Sequence, residues 1–152
     1  MLTIEKVLIL KTVDTFARIS DEVLAEVAQS LEELTILKGE VVFEKGDFGD
    51  SMFIIAQGRV RVHNGDQHLN YLDDRDVFGE MAILDPAPRV ASITAVADTQ
   101  LLRLDQDTLY ELMEDRVEVA QGIIRVLSNH LRNRVQDVHE LRLELGAVNN
   151  QS

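Results

Sequence analysis

Apolar residues recur along this chain with two different periods. Val23, Leu24, Val27, Ala28 and Leu31 follow one another at steps of one and three, the spacing that gathers side chains on one face of a helix. Ser20 stands just before them as a candidate N-cap, and a shorter helix is read over residues 3–12. From about residue 35 the period falls to two. RVRVH places Val60 and Val62 on one face and Arg59, Arg61 and His63 on the other, which marks a half-buried strand. TIL, EVVFE, MFIIA, HLNYL, ASITAV and QLLRL are further runs of strand length. Six of the eight glycines (Gly39, Gly46, Gly49, Gly58, Gly65 and Gly79) separate these runs and supply turn corners. HNGDQ predicts a hairpin turn through Asn64–Gly65. After Asp105, a second candidate cap, Leu109, Leu112 and Met113 face one way. A long helix is predicted over 117–145. Its stripe of Ile123, Ile124, Leu127, Leu131, Val135, Val138, Leu141 and Leu145 approaches a heptad seam.

These elements predict an α+β fold, because strands are grouped together and do not alternate with helices. An antiparallel β-roll (a double-stranded β-helix, jelly-roll-like) occupies 35–105. An N-terminal helical segment over 3–33 precedes it, and C-terminal helices over 106–145, the last of them long, follow. One domain spans 1–145, and 146–152 form a polar tail. The first half of the long stripe belongs to the core. Its second half is a homodimer seam or a face for another domain.

Composition narrows the partners. Fifteen basic residues against 27 acidic give a formal net charge of −12. Nucleic acid and anionic membrane surfaces both demand clustered positive charge, so neither is expected as a partner. An anion would have to be held by a local pocket. With no cysteine, disulfide frameworks, thiolate metal sites and a cysteine nucleophile are excluded, and a cytoplasmic setting is expected. LTIEKVLILK carries charges at Glu5, Lys6 and Lys11, unlike a signal peptide, and no run approaches the roughly 20 apolar residues of a membrane span. His63, His68, His130 and His139 lack metal-ligand spacing, and Asp47 and Asp50 read as turn acids that cap local amides. No nucleophile–base pair or Walker loop is present. The chain is therefore read as a non-enzyme without metal or cofactor. Residues 146–152 are too few for a DNA-reading helix-turn-helix, and the 152 residues are read as a module that can belong to a larger chain.

One stretch carries chemistry: FGEMAILDPAPRVAS, Phe78 to Ser92. Gly79 allows close backbone approach. Glu80 is an acceptor for a sugar hydroxyl. Met81 to Leu84 suffice for one helical turn, which Pro86 stops. The start of that turn offers amide N–H groups to a phosphate, and Ala82 is too small to cover them. Arg89 can grip the same phosphate through its planar fork. Such a charge-assisted bond is worth about 1.5–3 kcal/mol. Pro86 and Pro88 stiffen the loop between carboxylate and arginine. Alternatively, Glu80 and Arg89 simply pair with each other.

FGEMAILDPAPRVASITA resembles the phosphate-binding cassette of the cyclic-nucleotide-binding domain family, of catabolite activator and cyclic-AMP-dependent kinase regulatory subunit type. Upstream, KGDFGDSMFIIAQGRVRV is similar to the glycine–aspartate strand pair of the same family. The resemblance covers roughly residues 15 to 135 and implies a regulatory module that binds a cyclic nucleotide and moves its long helix on binding. It implies that Glu80 takes the ribose 2′-hydroxyl, that Gly79 lets the ribose approach, and that Arg89 pairs with the cyclic phosphate. The amides of Ala82 and Ala91 complete that phosphate site, with Met81 and Val90 beside it. Val90 stands where the family usually has Ala, Ser or Thr. Lacking a hydroxyl, it cannot hydrogen-bond guanine, which favours cyclic AMP over cyclic GMP. A nucleotide-free interaction or dimerisation module of the same fold is the alternative.

Overall fold

The computed structural model describes residues 1–150, and side chains as far as Gly146. Two helices open the chain, α1 (Thr3–Leu10) and α2 (Asp21–Gln29). α1 ends two residues earlier than expected, because the Thr12 amide and hydroxyl both donate to the Ile9 carbonyl (3.0 and 2.6 Å) and tighten the last turn. Ser20 does occupy the N-cap of α2, but its side chain makes no capping bond. α2 closes at Gln29, where the Ser30 hydroxyl donates back to the Glu26 carbonyl (3.1 Å). The roll therefore begins at Glu32, inside the span assigned to helix. Leu34 already packs toward the roll interior.

Ten strands follow: β1 (Glu32–Ile36), β2 (Val41–Phe43), β3 (Phe48–Gly49), β4 (Ser51–Gln57), β5 (Val60–Asn64), β6 (Gln67–Leu72), β7 (Val77–Phe78), β8 (Ala87–Pro88), β9 (Ser92–Ala95) and β10 (Thr99–Asp105). They form two antiparallel four-stranded sheets, ordered β1-β10-β4-β7 and β2-β9-β5-β6, and a small β3-β8 ribbon. A short helix, α3 (Glu80–Leu84), lies between β7 and β8. Helices α4 (Gln106–Asp115) and α5 (Val117–Asn150) close the chain. This is the antiparallel roll with flanking helices that the sequence pattern predicts. The β5–β6 turn centres on Gly65–Asp66, one residue later than expected, with Asn64 still paired to Gln67. Gly65 has φ +59.

β4 explains why SMFIIA does not alternate. Met52, Ile54 and Ala56 join the core shared with the helices, while Phe53 and Ile55 face the roll interior. A strand covered on both faces reads as an unbroken apolar run. β10 divides in the same way, Leu102 and Leu104 toward the helices and Leu101 toward the interior.

Asp105 caps α4, its carboxylate accepting from the Thr108 amide at 2.9 Å. At the α4–α5 junction, Arg116 grips Glu26 of α2 through two bonds of 2.9 and 2.5 Å and holds that carboxyl below its ordinary range. α5 seats on the core through Val119, Ile123 and Leu127. Gly122 lets it lie against the Thr15 carbonyl, where a Cβ would meet the oxygen at 2.3 Å. Ile124, expected in the core, faces solvent. Beyond Leu127 the stripe is open: Leu131 is 67% and Val135 70% exposed. The helix also outruns its expected end, since 146–150 are helical and not a tail; residues 151–152 lie outside the described residues. A lone glycine weakens a helix by about 1 kcal/mol relative to alanine and does not end it. Among the described residues no helix is long and apolar enough to cross a membrane.

Candidate functional site

Two loops meet at one end of the roll. β7 ends at Phe78, and Gly79 turns the chain in the left-handed region (φ +77, ψ 12) into the single turn of α3. The Asp85 amide closes that turn on the Met81 carbonyl (2.9 Å), and Pro86 has no amide with which to extend it. β8 then pairs with β3, Phe48 opposite Pro88 and Gly49 opposite Ala87. Two backbone bonds extend the ribbon: Arg89 N–H to the Asp47 carbonyl (2.7 Å) and Gly46 N–H to the Arg89 carbonyl (2.8 Å). GDFGD and the proline-braced loop are thus one unit. The Asp47 carboxylate accepts from the Glu44 amide (3.0 Å) and fixes the turn, as expected of a turn acid. Asp50 accepts from the Ser51 hydroxyl (2.9 Å).

This ribbon delivers Arg89 to a narrow slot. Its Nη2 donates to the Ser51 carbonyl at 3.0 Å. The guanidinium lies 4.2 Å from the centre of the Phe43 ring and 5.8 Å from that of Phe53. Two glycines also border the guanidinium. A Cβ on Gly49 would sit 2.1 Å from Arg89 Nε and 2.3 Å from Cζ, and one on Gly79 would sit 2.8 Å from Nη1 and 2.7 Å from the Ser51 carbonyl oxygen. Gly79 is therefore required by the protein's own arginine and backbone, whatever room it also leaves a ligand.

Burial pushes the Arg89 pKa below its ordinary value; Asp50 opposes the shift, Arg103 adds to it, and Asp47 opposes it. Among the described residues no carboxylate comes within 4.0 Å of the guanidinium. The Glu80–Arg89 pair, the structural alternative, is not formed. Among the described residues Arg89 is a half-buried cation without an ionic partner.

It faces a cavity of about 420 Å³, within the ~300–1,000 Å³ typical of small-molecule sites. Gly79, Glu80, Met81, Ala82, Arg89, Val90 and Ala91 all line it, over a floor of Phe43, Val62, Phe78 and Ile93, with Asp85 on the wall. Glu80 is exposed. Val90, 88% exposed, presents methyl groups to this space. One detail differs from expectation: the Ala82 amide donates to the Gly79 carbonyl (3.1 Å), inside its own turn. A second, apolar cavity of about 40 Å³ lies between α3 and α5, and Glu80 and Met81 line it as well.

Sequence reasoning missed Phe43, Gly49 and the Ser51 carbonyl. One signal for Gly49 was present, since a glycine in an extended segment marks a bulge or a close approach. Nothing in EVVFE singled out Phe43.

Comparison with known proteins agrees with this geometry. The family model described as "Cyclic nucleotide-binding domain" matches residues 33–116. A CRP-like cAMP-activated global transcriptional regulator of Mycobacterium tuberculosis is 28% identical over 138 residues, covering 88% of this chain and 62% of the regulator. The crystal structure of the N-terminal domain of a transcriptional regulator from Streptomyces coelicolor A3(2) superposes with a TM-score of 0.80 at 31% identity, covering 84% of this chain and 92% of that one. The regulatory domain of Toxoplasma gondii PKA, co-crystallised with cAMP, gives 0.67 at 26% identity, covering 74% and 45%. The chain thus spans less than two thirds of the curated regulator it matches. Motif, roll and family model coincide over the arginine-bearing cavity, and the chain belongs to the cyclic nucleotide-binding domain family.

Proposed function

We propose that this chain is a regulatory sensor module that binds cyclic AMP in preference to cyclic GMP and passes the binding event to α5. One observation carries the reading: Arg89 is half-buried, has no carboxylate partner within 4.0 Å among the described residues, and lines a cavity of about 420 Å³. A desolvated cation in that position gains most from an anion that enters the cavity. Arg89 takes the cyclic phosphate and Glu80 the ribose 2′-hydroxyl. The Ala91 amide, and the Ala82 amide once it exchanges its long turn bond for a phosphate oxygen, complete the site. Val90 offers the base no hydrogen bond, so guanine gains nothing over adenine. The Mycobacterium relative is named as cAMP-activated and the Toxoplasma domain was crystallised with cAMP, which supports the choice of ligand.

Transmission to α5 follows from contact. The ligand acts only by binding one arrangement of α3 and α5 better than another, and α3 borders both the nucleotide cavity and the apolar gap beneath α5. The exposed second half of the α5 stripe is proposed as a homodimer seam. A cytoplasmic location suits the ligand and the cysteine-free sequence, and the net charge of −12 argues against nucleic acid touching this module.

Titration calorimetry with cyclic AMP and cyclic GMP tests the proposal. Cyclic AMP is expected to bind more tightly. No heat from either at millimolar concentration, with the protein folded, sinks it. The engaged Ala82 amide favours a second reading, a nucleotide-free dimerisation module. Sedimentation with and without nucleotide separates the two, because a dimer indifferent to ligand fits only the second.

A further inference from the structure

We infer that Phe43 is the positioning residue for Arg89: its ring face and the Gly49–Gly79 backbone form a flat slot that holds the guanidinium toward the nucleotide cavity. The inference rests on the assignment of that cavity to a cyclic nucleotide.

Three observations converge. The guanidinium carbon stands 4.2 Å from the Phe43 ring centre, within the range of cation–π attraction. No Cβ fits at Gly49 or Gly79 without striking the guanidinium, so the backbone closes on it there with no room for a side chain. Phe43 is itself fixed: β2 pairs it with Ile93, and its ring packs 6.0 Å from Phe53 and 5.9 Å from Phe78, which stack on each other at 5.0 Å.

The chemistry explains why an aromatic ring suits this place. A half-buried cation needs compensation for lost hydration. A carboxylate would supply it but would occupy the same in-plane N–H donors that a phosphate needs. A ring engages only the face of the guanidinium and leaves the donors in the plane, apart from the Nη2 bond to the Ser51 carbonyl. The slot stabilises the charge without neutralising it. It also selects a planar group, which a tetrahedral lysine ammonium is not.

The test begins with ligand-free protein. NMR should show the Arg89 side-chain protons, assigned by their loss in Arg89→Lys, shifted upfield by the Phe43 ring. Phe43→Leu should abolish that shift and Phe43→Tyr should keep it. For cyclic AMP, Phe43→Leu should weaken binding by roughly five- to tenfold while Phe43→Tyr stays within about twofold. Unshifted Arg89 protons in the wild type overturn the inference, as does a Phe43→Leu protein that loses the shift but keeps its affinity. If Phe43→Leu does not fold, Arg89→Lys decides: a lysine with equally shifted protons and undiminished affinity refutes a planar slot. A wild type that shows the shift but binds no cyclic AMP upholds the slot and removes the nucleotide assignment.

Discussion

Replacing Gly49 with alanine separates what the backbone needs from what the arginine needs. Gly49 lies in β3 without a positive φ, so its backbone accepts any residue. The new methyl would fall 2.1 Å from Arg89 Nε and 2.3 Å from Cζ, and these atoms belong to a long side chain that can move. The expected response is expulsion of the guanidinium into solvent. Stability loses the bond to the Ser51 carbonyl, largely offset by rehydration, and gains about 0.4–1 kcal/mol from a less flexible unfolded chain. The net loss is at most about 1–2 kcal/mol, a fall in Tm of roughly 2–8 °C. Binding loses the charge-assisted grip on phosphate, about 1.5–3 kcal/mol, or roughly 10- to 150-fold in Kd. Calorimetry with cyclic AMP beside a thermal melt measures both quantities. Gly79→Ala is the contrasting control: its methyl would meet the Ser51 backbone oxygen at 2.7 Å at φ +77, so stability itself should fall. A Gly49→Ala protein with unchanged affinity refutes the slot as the holder of Arg89. A collapse in Tm comparable to that of Gly79→Ala shows instead that β3 itself requires the glycine.

Three further outcomes are expected. Gly122→Ala drives a methyl to 2.3 Å from the Thr15 carbonyl oxygen and should cost about 1–3 kcal/mol by overpacking, read as a lower denaturant midpoint. Asp105→Ala removes the α4 cap and should cost about 0.5–2 kcal/mol. The Thr108 bonds hold the Asp105 carboxyl below its ordinary pKa, so its contribution is present above the aspartate range and lost as pH falls. The melting gap between variant and wild type should therefore close below about pH 4; a gap constant with pH contradicts the ionic cap. Leu131→Glu combined with Val135→Glu should yield monomers in sedimentation while leaving Tm nearly unchanged, because both side chains are exposed in the single chain; an unchanged dimer moves the seam elsewhere.

Much of the molecule was legible because local pattern and global fold agree. RVRVH alternates because β5 is covered on one face, and Asp105 caps α4 because Thr108 stands three residues on. The segment from Gly79 to Ala91 stood out because it is one short stretch of chain whose two ends, Gly79–Ala82 and Arg89–Ala91, border the same cavity. Phe43 was not, because its role is created by a partner far along the chain and by a ring face that no spacing encodes. The helix-to-strand boundary at Ser30–Leu31 was misplaced because Leu31 continues the helical period while packing from the next segment. The end of α5 was misplaced because polar residues were taken as a stop, although polarity alone does not end a helix that lacks a C-cap glycine or a following proline.

The wall formed by α3 has one further consequence. Glu80 and Met81 border the space on either side of it, so a nucleotide bound as proposed would be separated from the long helix only by this one short helix. A guest drawn against one surface of such a partition would change the packing on the other without any lengthy relay. Under the proposed function, detection and response would share a single wall of five residues, Glu80–Leu84.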